Sequence, residues 1–523
     1  MHRSLIRRAT FVCTVLANGI GLALASQPHV GAIAHTEDGD VRGVTMGPVS
    51  SFKGIPYAAA PVGALRWRAP QAVKPWKDPL DATAFGPSCM QADPIPKSED
   101  CLTLNVWRPS VRSNKPLPVM VWIYGGALVH GNTPQYPLDA LAQQGVVLVS
   151  MNYRMGRLGF FAHPALAQES PNEVHGNYGY LDQQAALRWV QKNIAAFGGD
   201  PKQVTIFGES AGGGSVIVHL TSPLSKGLFQ RAILQSPGIP TARAQSLPLT
   251  EESAAEQAAV AYTRSLGISS DGPAALAALR KVSADKLVEG AGAPQVLAGL
   301  SSGKPVIGVV GAIRDGHLLV EPPESVFAAG RQARVPIMVG ANSRDLGIGE
   351  ANSKEELFAS FGPFSSEAHK LYDPKGEQTL DELKQQVFAD VTLVEPARHL
   401  ADMIRGSGEP VYLYRFSYVA ESQRSKLPGT LHGFEIPYTL NLPSAIVKDK
   451  VTAEDKKMGQ VASAYWVVFG KTGNPNGVAR VEWPLYDPAV DRVINFTNGG
   501  VIVEPDPLKK RLDLVAKMRE QQH

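Results

Sequence analysis

Apolar, largely β-branched runs of four to eight residues punctuate the chain at Leu117–Tyr124, Val146–Asn152, Val204–Phe207, Ala232–Gln235, Val335–Val339 and Val411–Phe416. The stretches between them are long enough for helices, and such alternation predicts an α/β fold built on a large, mostly parallel sheet flanked by helices. One intervening stretch, Gln183–Phe197, carries aliphatic residues at 186, 187, 190 and 194, a helical stripe that ends at Gly198-Gly199. Residues Gly43 to Lys53 alternate as a small hairpin would, and the following proline-rich run, Pro56–Pro79, suits neither a helix interior nor a central strand and is read as surface wrapping. From Thr250 to Ala293 the composition turns to Ala, Glu and Leu with little β-branching, which predicts helices inserted as a cap, spanning roughly residues 245–330. Internal repeats and a linker-like shift in composition are absent, so residues 26–523 are expected to form one domain.

The first residues follow a different logic. Arg3, Arg7 and Arg8 precede an apolar stretch from Ala9 to Leu24, and Ala23-Leu24-Ala25 is a small-x-small cleavage site, so residues 1–25 read as a secretory signal. A membrane anchor is the alternative, but the run falls short of the roughly 20 apolar residues a span needs, and it contains Asn18, Gly19 and Gly21. Arg7-Arg8 also fits a twin-arginine signal loosely, leaving the export route open. Those three arginines account for the whole formal charge of +3, so the exported chain has no basic footprint for nucleic acid. A secreted or periplasmic protein without a membrane span follows. Of three cysteines, Cys13 lies in the signal; Cys89 and Cys101 remain and are expected to pair, a metal site being disfavoured because no nearby histidine completes a ligand set.

Candidate chemistry centres on Thr205–Ser215, T-I-F-G-E-S-A-G-G-G-S, in which Gly208, Ser210 and Gly212 form a G-x-S-x-G motif. A β-branched run precedes it and a helix-compatible run follows, the strand-turn-helix setting of a nucleophile elbow. A serine hydroxyl needs a histidine base, which a carboxylate orients. Downstream, Asp345 in G-A-N-S-R-D and His432 in G-T-L-H-G-F-E both fall just beyond predicted strand ends, where ligands gather in open α/β sheets. A tetrahedral intermediate also needs amides aimed at its oxyanion; the loop Tyr124-Gly125-Gly126-Ala127 and the amide of Ala211 suit that task.

Seven motifs together resemble the type-B carboxylesterase and cholinesterase family of α/β-hydrolases: F-K-G-I-P-Y-A (52–58), S-E-D-C-L-T-L-N-V (98–106), W-I-Y-G-G-A (122–127), N-Y-G-Y-L-D-Q-Q (177–184), F-G-G-D-P (197–201), F-G-E-S-A-G-G (207–213) and G-N-P-N (473–476). The resemblance covers nearly all of the chain beyond the signal. It implies Ser210 as nucleophile, His432 as general base, Asp345 as the acid, and Gly126, Ala127 and Ala211 as oxyanion donors. It further implies that Glu209, Ser236 and Glu435 order these groups, and that Cys89–Cys101 is the family's first disulfide. The implied activity is hydrolysis of a small-molecule carboxylic ester through an acyl-enzyme, without cofactor or metal; oligomeric state is not legible.

Departures from the family pattern refine the expectation. The family usually carries Glu at the acid position, which makes Glu350 the alternative to Asp345. The loop from Ser88 to Cys101 lacks the tryptophan with which cholinesterases stack choline, so a quaternary-ammonium substrate is not expected. Val306 and Gly308 stand where acetyl-specific relatives carry acyl-pocket aromatics, which implies a wide acyl pocket. Arg157, Arg314 and Arg344 replace smaller or different residues, and arginine's planar fork suits carboxylates. Substrate-binding arginines with a wide pocket would resemble the secreted bacterial fumonisin esterases, which release tricarballylate from a long-chain toxin; solvated or structurally paired arginines are the alternative. A non-catalytic binding module, or a lactone or amide hydrolase using the same residues, are the rival functional classes.

Overall fold

The computed structural model describes residues 29–238, 249–477 and 481–521; residues 1–25, read above as a secretory signal, and Cys13 within them lie outside these. Twelve strands and one two-residue strand form the central sheet. In chain order they are β1 (His29–Thr36), β2 (Gly39–Met46), β3 (Val49–Pro56), β4 (Thr103–Pro109), β5 (Leu117–Ile123), β6 (Val147–Met151), β7 (Gly199–Glu209), β8 (Arg231–Gln235), β9 (Ile337–Asn342), β10 (Val411–Phe416), β11 (Arg492–Thr497) and β12 (Gly500–Pro505). Their spatial order is β1-β2-β3-β4-β6-β5-β7-β8-β9-β10-β11-β12, with Leu80–Asp81 beside β2. From β6 to β11 every neighbouring pair is parallel, while β1 to β4 and the β11–β12 hairpin are antiparallel. All six apolar runs picked out by patterning are strands of this sheet.

The parallel strands are buried along their length because helices cover them; Val119–Ile123, Val147–Val149, Ile206, Phe207 and Ile337–Val339 are fully buried. That double coverage is why their sequences run apolar instead of alternating. Helix α1 spans Tyr178–Asn193, continues as a 3₁₀ turn to Phe197, and stops where Gly198 adopts φ 83°. Its start precedes the predicted one by five residues, because Tyr178–Asp182 are buried and show no polar face to mark a boundary. Helix α2 (Ala211–Thr221) leaves the end of β7, and α3 (Ala453–Thr472), opened by a Thr452–Asp455 capping box, packs Trp466 into the core.

The segment read as a cap contains helices at Glu252–Ser265, Gly272–Lys281, Ala284–Val288 and Ala293–Ser301, joined to a two-stranded ribbon of Leu249–Glu251 with Ala312–Arg314. Cys89 and Cys101 form a disulfide. No helix among the described residues is long and apolar enough to cross a membrane.

Candidate active site

Strand β7 sits between β5 and β8, and its end is the pivot of the site. Ser210 follows Glu209 directly at φ 58° and ψ −124°, a conformation that L-residues avoid and that persists only where surroundings over-determine it. Its N–H donates to the Gln235 carbonyl at 2.9 Å and its own carbonyl accepts from Gly238 N–H at 3.1 Å, so the ladder with β8 carries on through the turn. Glycine is required on either side for lack of space: a Cβ at 208 would stand 2.6 Å from the Ile123 oxygen, and one at 212 would overlap that same carbonyl. The sharp turn lifts the hydroxyl clear of the sheet edge and starts α2 immediately behind it.

Asp345 lies three residues beyond β9 and His432 in the loop after β10, so three strand ends converge. His432 Nε2 is 2.8 Å from Ser210 Oγ and its Nδ1 is 2.5 Å from Asp345 Oδ1. The Asp345 carboxylate is buried and also accepts from Ser236 Oγ at 2.6 Å, Asn342 N–H at 2.8 Å and Leu346 N–H at 2.9 Å. Burial alone would raise this carboxyl, but the neighbouring His432 and the hydrogen bonds from His432, Ser236 and Asn342 outweigh it and hold Asp345 below the usual range. Glu350, in contrast, is exposed.

Two further buried carboxylates flank the histidine. Glu209 Oε1 lies 3.2 Å from His432 Nε2 and has no hydrogen-bond donor of its own among the described residues. Glu435 accepts from Gln235 Nε2 at 3.1 Å and from Asn342 Nδ2 at 2.5 Å, and Trp466 Nε1 in turn fixes Gln235 at 2.9 Å. Burial pushes both glutamates above the ordinary carboxylate range. For His432, burial disfavours the imidazolium, yet the charges of Glu209 and Asp345 prevail and raise it well above its ordinary value. Asn342 and Gln235 escaped the sequence reading, although both sit at strand ends facing the loop of His432; that position was the available signal.

The loop after β5 supplies the third part. Gly126 has φ 96°, and a Cβ there would overlap the His130 carbonyl; Ala127 and Leu128 follow at φ 54° and 60°. This left-handed turn leaves the N–H groups of Gly126 and Ala127 without an acceptor among the described residues, as is that of Ala211 at the start of α2. The turn is braced from outside. Gln91, buried within the disulfide loop, exchanges two hydrogen bonds with the backbone of Gly131, at 3.0 and 3.1 Å, and Asp93 of the same loop pairs with His130.

A cavity of about 390 Å³ opens above Ser210 and His432. Gly126, Ala127 and Glu209 form its floor, and Leu297 from the cap with Phe434, Leu440, Leu442 and Ile446 form its walls, so they are mainly apolar. None of Arg157, Arg314, Arg344, Val306 and Gly308 lines it. Arg157 is buried and donates to the carbonyls of Leu287, Glu289 and Ile307 while stacking on Tyr262 at 4.1 Å, which commits its fork to holding the cap. Gly308 packs against Tyr262, where a Cβ would lie 2.7 Å from that side chain. Arg314 is exposed and ion-paired with Glu251; Arg344 is half-buried, its backbone bridging to Leu431. The counter-charges expected of the arginines are therefore absent from this cavity.

Comparison with known proteins gives concordant matches. The description "Carboxylesterase family" matches residues 31–361 and 364–514. The fumonisin B1 esterase of Sphingopyxis macrogoltabida is 37% identical over 482 residues, covering 87% of this chain and 84% of that protein. The para-nitrobenzyl esterase of Bacillus subtilis (strain 168) is 36% identical over 503 residues, covering 91% and 96%. A solved para-nitrobenzyl (PNB) esterase structure superposes with a TM-score of 0.77 at 34% identity, covering 92% of this chain and 99% of that one.

Proposed function

Because the chain belongs to the carboxylesterase family and is a carboxylic ester hydrolase of the α/β-hydrolase fold, we propose that Ser210, His432 and Asp345 carry the reaction. The observation that carries this reading is the unbroken chain Ser210 Oγ, His432 Nε2, His432 Nδ1, Asp345 Oδ1, at 2.8 and 2.5 Å, on the floor of the apolar cavity. His432 takes the proton as Ser210 attacks the ester carbonyl, and the tetrahedral oxygen is received by the amides of Gly126, Ala127 and Ala211. Collapse expels the alcohol, which His432 protonates, and water repeats the sequence on the acyl-enzyme. Asp345 fixes the tautomer that leaves Nε2 free to accept; Ser236 holds that carboxylate. Glu209 and Glu435 favour the imidazolium that forms as the proton moves.

Export after removal of residues 1–25 belongs to the same reading and is supported by the disulfide, which persists in oxidising compartments. A substrate bearing carboxylates is favoured by the likeness to the fumonisin B1 esterase. The apolar cavity walls receive the hydrocarbon part of such an ester, and its charge must be met elsewhere. The test is serine-dependent turnover: the purified protein should hydrolyse a neutral short-chain p-nitrophenyl ester and take up an organophosphonate at Ser210, and Ser210→Ala should do neither. Undiminished turnover in Ser210→Ala would refute the assignment, and failure of both reactions in the parent would favour a non-catalytic module.

A further inference from the structure

Beside the cavity over Ser210 lies a second, of about 460 Å³, and the two share the side chains of Phe434 and Ile446 as a common wall. Its charge is the opposite of apolar: Lys426, Lys448 and Lys450 line it against a single acid, Asp449. Elsewhere some surface cations are ion-paired, as Arg68 is with Glu173, Arg331 with Glu321 and Lys354 with Asp373, while others, such as Lys74, Lys202 and Lys304, stand singly in solvent. Lys426, Lys448 and Lys450 are exposed and form no ion pair among the described residues. Lys448 is moreover held at φ 50° and ψ −120°, a conformation that suits glycine and strains any other residue.

We propose that this lysine-lined cavity is an anion subsite that receives a free carboxylate of the substrate while the ester carbonyl sits at Ser210, so that the protein prefers esters of polycarboxylic acids or of carboxylate-bearing alcohols. The proposal rests on the serine-esterase reading for its catalytic consequence, but the binding of a carboxylate does not. Three positively charged residues around one hollow, with one acid among them, attract an anion over about a Debye length, roughly 10 Å at 0.1 M salt. The shared wall of Phe434 and Ile446 is where an aliphatic linker between ester and carboxylate would lie. The three arginines singled out in the sequence contribute nothing here; the charge comes from the segment after His432 and from Lys426 just before it.

The test uses the whole chain and two variants, Lys426→Ala/Lys448→Ala/Lys450→Ala and the single Lys448→Gly, which removes an ammonium and relieves the strained turn. Hydrolysis is compared for a neutral ester and two size-matched esters carrying a carboxylate, one on the acyl part and one on the alcohol. The expected result is a preference for one acidic ester, a drop of at least tenfold in its kcat/KM in the triple variant through KM, a smaller drop in Lys448→Gly, and a change under twofold on the neutral ester. Raising salt from 0.05 to about 0.5 M should erode the preference in the parent protein only. Adipate binding to Ser210→Ala, read by calorimetry, should be lost on adding the lysine substitutions. Equal loss on neutral and acidic esters, or adipate binding that ignores the lysines, overturns the subsite and leaves the serine mechanism standing. Lysine-dependent adipate binding without serine-dependent turnover would do the reverse.

Discussion

Replacing Glu209 by Gln keeps the side-chain length and removes one charge 3.2 Å from His432 Nε2. At that separation two unit charges interact by about 1.3 kcal/mol under bulk-water screening and by about 5 kcal/mol at an effective dielectric of ~20. One pKa unit corresponds to about 1.36 kcal/mol, so even the weaker figure lowers His432 by about one unit. Burial raises Glu209 to about 8 even with the imidazolium beside it pulling it down, and His432 is raised to about 10, so the two charges coexist above about pH 8, where the histidine is still giving up its proton. The sign follows from which form works. In the proposed mechanism neutral His432 takes the serine proton, so kcat/KM should rise with pH through the histidine's value, which its neighbours raise above ~6.5. Losing Glu209 removes one of those neighbours and moves the rising limb to lower pH by about one unit or more. Initial rates on a neutral ester from about pH 5 to 10, fitted as kcat/KM, read the free enzyme directly. A limb that stays in place, or moves upward, refutes the electrostatic role given to Glu209.

Three other outcomes are expected. Asp345→Asn should lower kcat by about 10⁴-fold at pH 7 with little change in KM, as loss of the orienting carboxylate does elsewhere; because Asp345 is held below its unfolded value of about 3.9, its contribution to stability should be full above that pH and fade as pH falls through the lower folded value, a slope that acid titration of the parent but not the variant will show. Gly212→Ala places a Cβ on the Ile123 carbonyl and 2.8 Å from the Tyr124 carbonyl carbon, both backbone, so it should cost more than about 4 kcal/mol and be read as loss of soluble protein or of a cooperative melt. Cys101→Ser opens a loop of sequence separation 12 and should lower unfolding free energy by about 3 kcal/mol in denaturant titration; unchanged stability would show that Gln91 and Asp93 alone hold that loop.

Much of the fold could be read locally because its strands are buried on both faces and therefore announce themselves as apolar runs. The elbow was equally legible, since Gly208 and Gly212 are imposed by contacts with the neighbouring strand's backbone. The sequence also brought forward Asp345 and His432, which the structure sets within hydrogen-bond distance of each other. Side-chain destinations were the harder part. Arg157 has the chemistry of a substrate clamp, yet its hydrogen bonds go to carbonyls 130 to 150 residues away in the cap, a pairing no local pattern encodes. The cavity walls from Phe434 to Ile446 escaped for a related reason: Ile436 and Leu440 belong to the buried core and also border the cavity, and an apolar residue that does both looks in sequence like any core residue. Lys426 and the pair Lys448 and Lys450 stand more than 20 residues apart in sequence, and only the fold brings them around one hollow.

In the proposed mechanism three separate strand ends deliver the reacting groups, and Ser210 stands 222 residues ahead of His432 in the chain. On a ribosome elongating at roughly 5 to 20 residues per second, that interval is about 11 to 44 s during which the hydroxyl has been made and its base has not. The nascent or partly folded polypeptide is thus chemically silent, since an elbow without β9 and β10 has nothing to accept its proton. Turnover is for the same reason a stricter gauge of refolding than fluorescence or helicity: it appears only when the β8–β9–β10 register has closed, and a population that regains its secondary structure without its activity is stalled at that closure.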